Sequence, residues 1–180
     1  MKAVSEYEIT MSEMAILKSE LVRDEGYRSY AYKDTVGVWT GGVGHNLMHE
    51  NPYDIMRWTR ESLPDPISDE QIGIWFDQDI KDAIKAAINW LEWDVFFGLT
   101  ATRKRVVINM AFNLGAKRIK GFKNLRAAIQ RNDYANAAFE MNKSKWYRQV
   151  KGRADRLIMM MLGQLLLTDY KKDAKNEKVL

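Results

Sequence analysis

Residues 25–45, EGYRSYAYKDTVGVWTGGVGH, are the most informative part of this 180-residue chain. They combine five glycines and four aromatic residues with Glu25, Asp34, Thr40 and His45. The β-forming side chains and the turn-forming glycines predict a small antiparallel sheet of two or three short strands. Such a sheet is marginal alone and must pack against a helix. The segment is therefore predicted to be a polar, glycine-rich hairpin.

Helical patterns surround this hairpin. Thr10 and Glu13 form a capping box that opens a helix, and Gly26 is its expected stop, which places Glu25 near the helix end. Ser68 with Gln71 opens a long amphipathic helix that runs to about Leu91. Further helices are predicted over residues 53–60, 100–113, 123–131, 133–142 and 153–168.

These patterns favour an α+β and mostly helical fold of one domain or of two small lobes, one that contains the β-hairpin and one helical, which the long helix can join. A hydrophobic fraction of 46% excludes global disorder. The predicted boundaries are a leader over 1–11, an N-terminal lobe with the hairpin over 12–67, a connecting helix over 68–91, a C-terminal helical lobe over 92–170 and a basic tail over 171–180.

Composition excludes several kinds of chemistry. The chain has no cysteine, so disulfides, thiolate metal sites and cysteine nucleophiles are absent. It has two histidines and no HExxH spacing, so we expect no metal and no cofactor. Residues 1–15 lack the apolar run of a secretion signal, and no segment reaches the roughly 20 apolar residues of a membrane span. We therefore expect a protein made and kept in a cytoplasm.

Charge is distributed unevenly. Residues 1–90 carry nine Lys/Arg against sixteen Asp/Glu, and the second half carries nineteen against eight. A basic half favours an anionic partner such as nucleic acid, a charged polysaccharide or an acidic membrane surface. A solvated basic face explains the same count, and charge alone does not separate these alternatives.

Glu25 and Asp34 are candidates for acid–base chemistry. Glycoside hydrolysis needs two carboxyl groups, one to protonate the leaving oxygen and one to handle water or the charge that develops on the sugar ring. The alternative is a helix-capping Glu and a turn Asp. Since the chain has 24 acidic residues, a pair at this spacing is also common by chance.

The neighbouring residues resemble the active-site segment of T4-type phage lysozymes, which are muramidases of glycoside hydrolase family 24. That family has the pattern E-G-x-R, then Y-x-D, then G-x-x-T-x-G-x-G-H. WFDQDI, VVINMAFNLG and SKWYRQVKGRADRLI resemble later family segments in the same order, so the likeness covers roughly residues 12–165. The matching residues of the first segment are Glu25, Gly26, Arg28, Tyr32, Asp34, Gly37, Thr40, Gly42, Gly44 and His45.

The resemblance implies the roles of three catalytic residues. Glu25 would be the general acid, Asp34 would position or polarise the attacking water, and Thr40 would hold that water on the far side of the sugar ring. The family inverts the anomeric carbon, which leaves room for water between the two carboxyl groups. The implied protein is a phage endolysin that cleaves the β-1,4 bond between N-acetylmuramic acid and N-acetylglucosamine.

The resemblance also implies residues around the reaction centre. His45 and Asp79 match a structural pair that links hairpin and helix. For two of the substrate-binding candidates an alternative stays open: Phe112 as a core residue and Arg153 as a surface cation. Asn46 and Glu140 depart from family preferences, and a one-residue gap is needed around residues 123–125. The predicted substrate-binding residues are Asn46, Phe112, Asn124, Glu140 and Arg153.

The expected partner is peptidoglycan, with an anionic outer membrane or lipopolysaccharide as a candidate second partner for the basic half. The protein would be a monomer that does not act on nucleic acid, and would leave the host cytoplasm for the periplasm and cell wall through a holin. Two other functions remain open at this point. A lytic transglycosylase would cut the same bond without water, which the presence of Asp34 and Thr40 argues against. A non-catalytic basic wall-binding module would need none of the three catalytic candidates.

Overall fold

The computed structural model describes residues 9–34, 37–48 and 65–164, and all statements below concern these residues. The predicted helix over 53–60, the leader up to residue 8 and the basic tail lie outside them. In chain order the elements are α1 (Met11–Glu25), β1 (Arg28–Lys33), β2 (Trp39–Gly42), β3 (His45–Asn46), α2 (Asp69–Leu91), α3 (Trp93–Gly98), α4 (Ala101–Ile119), α5 (Lys123–Gln130), α6 (Tyr134–Asn142), α7 (Lys145–Val150) and α8 (Gly152–Leu162). The fold is a mostly helical α+β fold of the T4-lysozyme type, as predicted.

Helix α1 begins and ends where the sequence predicts. The backbone N–H of Thr10 donates to Glu13 Oε2 at 2.8 Å, and the N–H of Glu13 donates to Thr10 Oγ1 at 3.2 Å, so the capping box is confirmed. At the other end Gly26 takes a φ of 78°, a left-handed conformation that glycine adopts without strain. Glu25 is therefore the last helical residue.

The three strands form one antiparallel sheet in the order β1-β2-β3. Tyr32 of β1 pairs with Thr40 of β2, and Thr40 in turn pairs with Asn46 of β3. The pairing of β1 with β2 is irregular between Arg28 and Tyr32, which is the signature of a bulge. Thr40 therefore lies on the central strand, held from both sides.

Helix α2 covers the sheet closely. Its start is capped as predicted, since the N–H of Gln71 donates to Ser68 Oγ at 3.2 Å. Gly42 has a φ of +58°, and a Cβ built there would lie 3.0 Å from Cγ2 of Ile72. A glycine at this position thus gives both the backbone conformation and the room that the helix needs.

Contacts divide the chain into two compact units. One is contiguous, Leu21–Ile80, and we call it the hairpin unit. The other joins Met1–Glu20 to Lys81–Leu180, and we call it the helical unit. Both α1 and α2 contribute residues to each unit, whereas the sequence pattern predicts a separate connecting helix over 68–91. The lobe boundaries inferred there stay a prediction.

The helical unit is built around helix α4, whose extent differs from the prediction of 100–113. It begins at Ala101, is capped by Thr100, whose side chain accepts a hydrogen bond from the N–H of Arg103, and continues to Ile119. At Gly115 the backbone leaves helical geometry, with φ 74° and ψ 163°. The predicted helix end at 113 thus lies close to a real break at Gly115, and a further helical segment follows it.

The prediction of a helix over 153–168 is wrong at its C-terminal end. Helix α8 ends at Leu162 because Gly163 takes a left-handed φ of 76° and its N–H bonds back to the carbonyl groups of the last turn. Leu157, Met160 and Met161 are buried, so the apolar face of this helix belongs to the core. No helix in the described part of the chain is long and apolar enough to cross a membrane.

Two short helices, α3 and α7, were not predicted. Helix α7 begins at Ser144, whose Oγ accepts a hydrogen bond from the N–H of Tyr147 at 3.0 Å. Helix α3 follows Glu92, a residue with a positive φ of 75° and no side-chain cap. Six residues are too few for a periodic pattern to stand out in a sequence.

A buried ion pair joins α1 to α4 inside the helical unit. Arg105 Nε donates to both carboxylate oxygens of Glu20 at 3.2 Å. The two residues are 3% and 4% exposed, respectively. The sequence gives no local sign of this pair, because its members are 85 positions apart.

Candidate active site

The predicted general acid Glu25 lies at the C-terminal end of α1 and packs against Gly44. A Cβ built on Gly44 would lie 3.4 Å from Glu25 Oε2 and 3.5 Å from its Cβ and Cγ. Gly44 also has a φ of +71°, which disfavours any other residue. The Glu25 side chain is half-buried. Position 44 therefore favours glycine through its backbone conformation, and Glu25 packs against it at an ordinary contact distance.

Asp34 directly follows β1 and is hydrogen-bonded to Val38, the residue before β2. Its backbone N–H donates to Val38 O at 2.9 Å, and its Oδ1 accepts a hydrogen bond from the N–H of Val38 at 2.8 Å. This hydrogen bond fixes the side chain of Asp34 against the backbone that leads into β2.

Thr40 is 6% exposed and lies on the central strand. Its hydroxyl donates to Val38 O at 3.1 Å. A hydroxyl has one donor and two acceptor sites, so this bond directs the Thr40 oxygen to act as an acceptor toward any further partner. Because Val38 bonds to both side chains, Asp34 and Thr40 are held by the same short piece of backbone.

His45 and Asp79 form the predicted structural pair. His45 Nδ1 lies 2.8 Å from Asp79 Oδ2, which links the start of β3 to α2. The imidazole is 7% exposed and stacks on Trp75, with ring centroids 4.8 Å apart and an interplanar angle of 9°. The geometry agrees with a structural role, since both hairpin and helix are tied at one point. Trp75 is a contributor that sequence analysis did not identify.

Asn46 is exposed at the end of the sheet. Its Oδ1 accepts a hydrogen bond from the N–H of Met48 at 3.0 Å. The amide NH2 group of Asn46 is the hydrogen-bond donor that could bind a substrate oxygen. The hairpin unit therefore contains all three catalytic candidates, the structural pair and one of the five substrate-binding candidates.

The other four substrate-binding candidates belong to the helical unit. Phe112, on α4, is half-buried. Asn124 and Glu140 line one cavity of about 530 Å³, which is within the usual size range of ligand pockets. Glu140 Oε1 lies 2.6 Å from Nζ of Lys143, which lines the same cavity. The structure thus brings two of the candidates together and adds Lys143 to them.

Arg153 is held by Asn109, a residue that sequence analysis overlooked. The Nε of Arg153 donates to Asn109 Oδ1 at 2.8 Å, and Nη2 donates to Asn109 O at 3.2 Å. Arg153 is 9% exposed and Asn109 is fully buried. Arg153 is therefore not a plain surface cation. An asparagine inside the apolar run VVINMAF was the available signal, since buried amides need hydrogen-bond partners.

One titratable group next to Glu25 has an altered pKa. Burial, followed by its hydrogen bond to Asp69, raises the pKa of the Tyr27 hydroxyl to about 12. Tyr27 donates this bond to Oδ1 of Asp69, which lies in the first turn of α2. The bond ties the chain just after Gly26 to the helix that covers the sheet. No cluster of three or more His, Asp or Glu side chains within the described ranges could hold a metal ion.

The fold and the arrangement of the hairpin define the class of T4-type lysozymes. The sequence model of the phage lysozyme family matches residues 22–158, which is more than half of the chain. The chain therefore belongs to the phage lysozyme family.

The chain is also similar to three individual proteins. It is 28% identical over 158 residues to probable T4-type lysozyme 1 of Dictyostelium discoideum, covering 81% of this chain and 92% of that protein. It is 29% identical over 153 residues to the pre-baseplate central spike protein Gp5 of Enterobacteria phage T4, covering 79% of this chain and 27% of the spike protein. It is 31% identical over 147 residues to the peptidoglycan hydrolase gp36 of Pseudomonas phage phiKMV, covering 80% of this chain and 15% of that protein.

These comparisons support a general activity for the chain. It is lysozyme-type hydrolysis of the cell wall by a glycoside hydrolase. The chain spans only a small part of the two phage relatives, so what those larger proteins do as a whole does not transfer to it.

Proposed function

We propose that this protein is a phage endolysin that hydrolyses the β-1,4 bond between N-acetylmuramic acid and N-acetylglucosamine with inversion. The observation that supports the proposal most is the shared backbone anchor of Asp34 and Thr40 at Val38. It fixes two acceptor groups on one hairpin of the unit that also carries Glu25. Two fixed acceptors are what a water molecule needs in order to attack in one orientation.

In this mechanism Glu25 is protonated and donates its proton to the glycosidic oxygen as the bond to the anomeric carbon breaks. A water molecule donates hydrogen bonds to Asp34 and Thr40, and its oxygen forms the new bond to that carbon from the opposite side. Asp34 takes the proton that the water loses. General acid–base assistance of this kind contributes roughly 10²–10⁴-fold to a rate.

The first experiment compares Glu25→Gln with the control Glu70→Gln, which alters an exposed carboxylate of the same unit. We expect Glu25→Gln to lower the rate of clearing of permeabilised cells by about 10²-fold or more. The control should clear them at the parental rate, and circular dichroism should show that both variants are folded. If folded Glu25→Gln clears cells as fast as the parent, Glu25 is not the general acid, and membrane or binding effects replace catalysis by Glu25 as the explanation of the clearing.

The second experiment separates hydrolysis from transglycosylation by mass spectrometry of the released muropeptides. Hydrolysis adds one water across the bond, whereas a lytic transglycosylase forms a 1,6-anhydro ring and releases a product lighter by one water. The proposal expects the hydrated product. Proton NMR in the first minutes of the reaction should also show the inverted anomer before mutarotation, and a retained anomer would contradict the assignment of Asp34 and Thr40.

We further propose that Asn46, Phe112, Asn124, Glu140 and Arg153 contact the substrate. Support for Asn124 and Glu140 comes from the cavity that they share. For Arg153 it comes from the two hydrogen bonds that fix its guanidinium to Asn109. Replacing Asn124 by Ala should raise KM more than it lowers kcat, because binding groups remote from the reacting bond act on both the ground and the transition state.

The cellular route is also a proposal. The protein would accumulate as a monomer in the host cytoplasm and reach the wall through a holin, to cause lysis. Its basic half would meet an anionic envelope, including lipopolysaccharide where the host has an outer membrane. Deleting the holin gene of the phage should leave the enzyme active in extracts and the host cells intact.

A further inference from the structure

One segment of the helical unit is basic without interruption. Residues 98–132 contain nine Lys/Arg and no Asp or Glu. Four of the nine lie within seven positions, between the end of α4 and the start of α5, and all four are exposed. We call these four residues the basic corner: Lys117, Arg118, Lys120 and Lys123.

The basic corner has a defined backbone. The N–H of Gly121 donates to Arg118 O at 3.0 Å, and the N–H of Phe122 donates to Ile119 O at 3.0 Å. Ile119 is fully buried between the exposed cations, which anchors the turn in the core. Within the described residues no carboxylate is paired with any member of the corner. Its positive charge is therefore concentrated on one short, fixed turn.

An exposed aromatic side chain lies next to this charge. Lys123 of the corner and Lys143 line the same cavity. The Nζ of Lys143 lies 5.0 Å from the ring centroid of Phe139, and Phe139 is 60% exposed. Lys143, which is ion-paired with Glu140, thus lies between Lys123 of the corner and a large apolar side chain that the fold does not bury.

We propose that the basic corner and Phe139 form a face that binds an anionic lipid surface. Cations bind lipid phosphate groups, and an exposed aromatic side chain enters the interface between headgroups and acyl chains. The combination favours a membrane over nucleic acid, because a solvated apolar side chain beside the cations gains most from a lipid interface. The proposal concerns binding alone and does not require hydrolysis.

The experiment measures co-sedimentation of the full-length protein with vesicles at low salt. The vesicles contain either equal parts phosphatidylglycerol and phosphatidylcholine, or phosphatidylcholine alone. We expect binding to the anionic vesicles only. The triple variant Lys117→Gln, Arg118→Gln, Lys120→Gln should bind them roughly 100-fold more weakly, because each cation near an anionic surface contributes about a fivefold factor.

A matched control removes the same charge elsewhere in the helical unit, through Lys81→Gln, Lys85→Gln and Arg131→Gln, all exposed. The affinity of this control for the anionic vesicles should fall only a few-fold. If its affinity falls as much as that of the corner variant, binding depends on net charge and not on this face, and the proposal is overturned. Hydrolysis of isolated peptidoglycan by the corner variant should stay at the parental rate, so loss of vesicle binding is not loss of the fold.

A third comparison tests the aromatic residue and the class of partner. Phe139→Ser should weaken vesicle binding by about tenfold, whereas Met159→Ser, at another exposed apolar position, should leave it unchanged. If Phe139→Ser and Met159→Ser weaken vesicle binding equally, Phe139 is not part of the lipid-binding face. The parent is also tested for binding to a single-stranded oligonucleotide. The face would instead be a nucleic-acid face if the parent binds the oligonucleotide as tightly as the anionic vesicles, the corner variant loses this binding, and Phe139→Ser keeps it.

Discussion

The buried ion pair between Glu20 and Arg105 gives a sharp prediction about stability. Removing one partner of a buried pair leaves the other charge in a poorly solvated place and costs about 3–5 kcal/mol. For a chain of this size each kcal/mol lowers Tm by roughly 2–4 °C. We therefore expect Arg105→Met to lower Tm by roughly 6–20 °C. This range for a buried ion pair applies because Arg105 and Glu20 are only 3% and 4% exposed. The Nε of Arg105 donates to both carboxylate oxygens of Glu20 at 3.2 Å.

The double variant Glu20→Met, Arg105→Met carries the opposite expectation. Both charges are then gone and two flexible apolar side chains fill the space, so its free energy of unfolding should lie within about 1 kcal/mol of the parent or above it. Urea unfolding of the parent, Glu20→Met, Arg105→Met and the double variant gives the coupling energy between the two side chains. An exposed pair, Lys85 with Asp82 at 3.4 Å, is the control, and Lys85→Met should cost less than about 1 kcal/mol. The reasoning fails if Arg105→Met is as mild as the control, or if the double variant is as unstable as either single one.

Three further predictions concern the hairpin unit. Asp79→Asn should lower Tm while kcat stays near the parental value, because the His45–Asp79 pair ties hairpin to helix and we assign it no part in the reaction; an unchanged Tm would reject the pairing. Gly44→Ala should lower Tm, since its φ of +71° is strained for alanine, and should lower activity where the backbone that Glu25 packs against shifts to relieve the strain; full activity would show that this backbone position is dispensable. The pKa of Tyr27 is raised to about 12, so the stability that its protonated hydroxyl contributes is complete below pH 10 and declines as pH rises toward 12. Tyr27→Phe should flatten that part of the pH–stability curve, as followed by urea unfolding, and an unaltered slope would count against the bond to α2.

Local signals predicted the elements that depend on local chemistry. The capping boxes at Thr10 and Ser68 are present with the expected hydrogen bonds, because a cap needs only residues three positions apart. The hairpin formed where glycines and β-formers alternate. The end of α8 was misplaced, because an apolar run through Leu167 outweighed the glycine at position 163 in the sequence pattern, whereas the left-handed cap ends the helix in the structure.

Contacts between residues far apart in the sequence could not be predicted from the sequence pattern. Asn109 and Arg153 are 44 positions apart, and nothing near either residue specifies the other. The same holds for the stacking of His45 on Trp75. For the candidate site, spacing alone could not distinguish Glu25 and Asp34 from a cap and a turn residue. Only the whole pattern of the family, with its glycines and Thr40, singled them out, and their roles stay predictions that the variants above can test.

The discontinuous helical unit has a consequence for the order of folding during synthesis. Glu20 leaves the ribosome 85 residues before Arg105, which at 5–20 residues per second is a delay of roughly 4 to 17 s. The hairpin unit is contiguous and ends at Ile80, so its whole sequence is available during that interval. The first turns of α1, in contrast, must wait for their packing partners in the second half of the chain. The unit that carries the three catalytic candidates is thus the first that the nascent chain can complete.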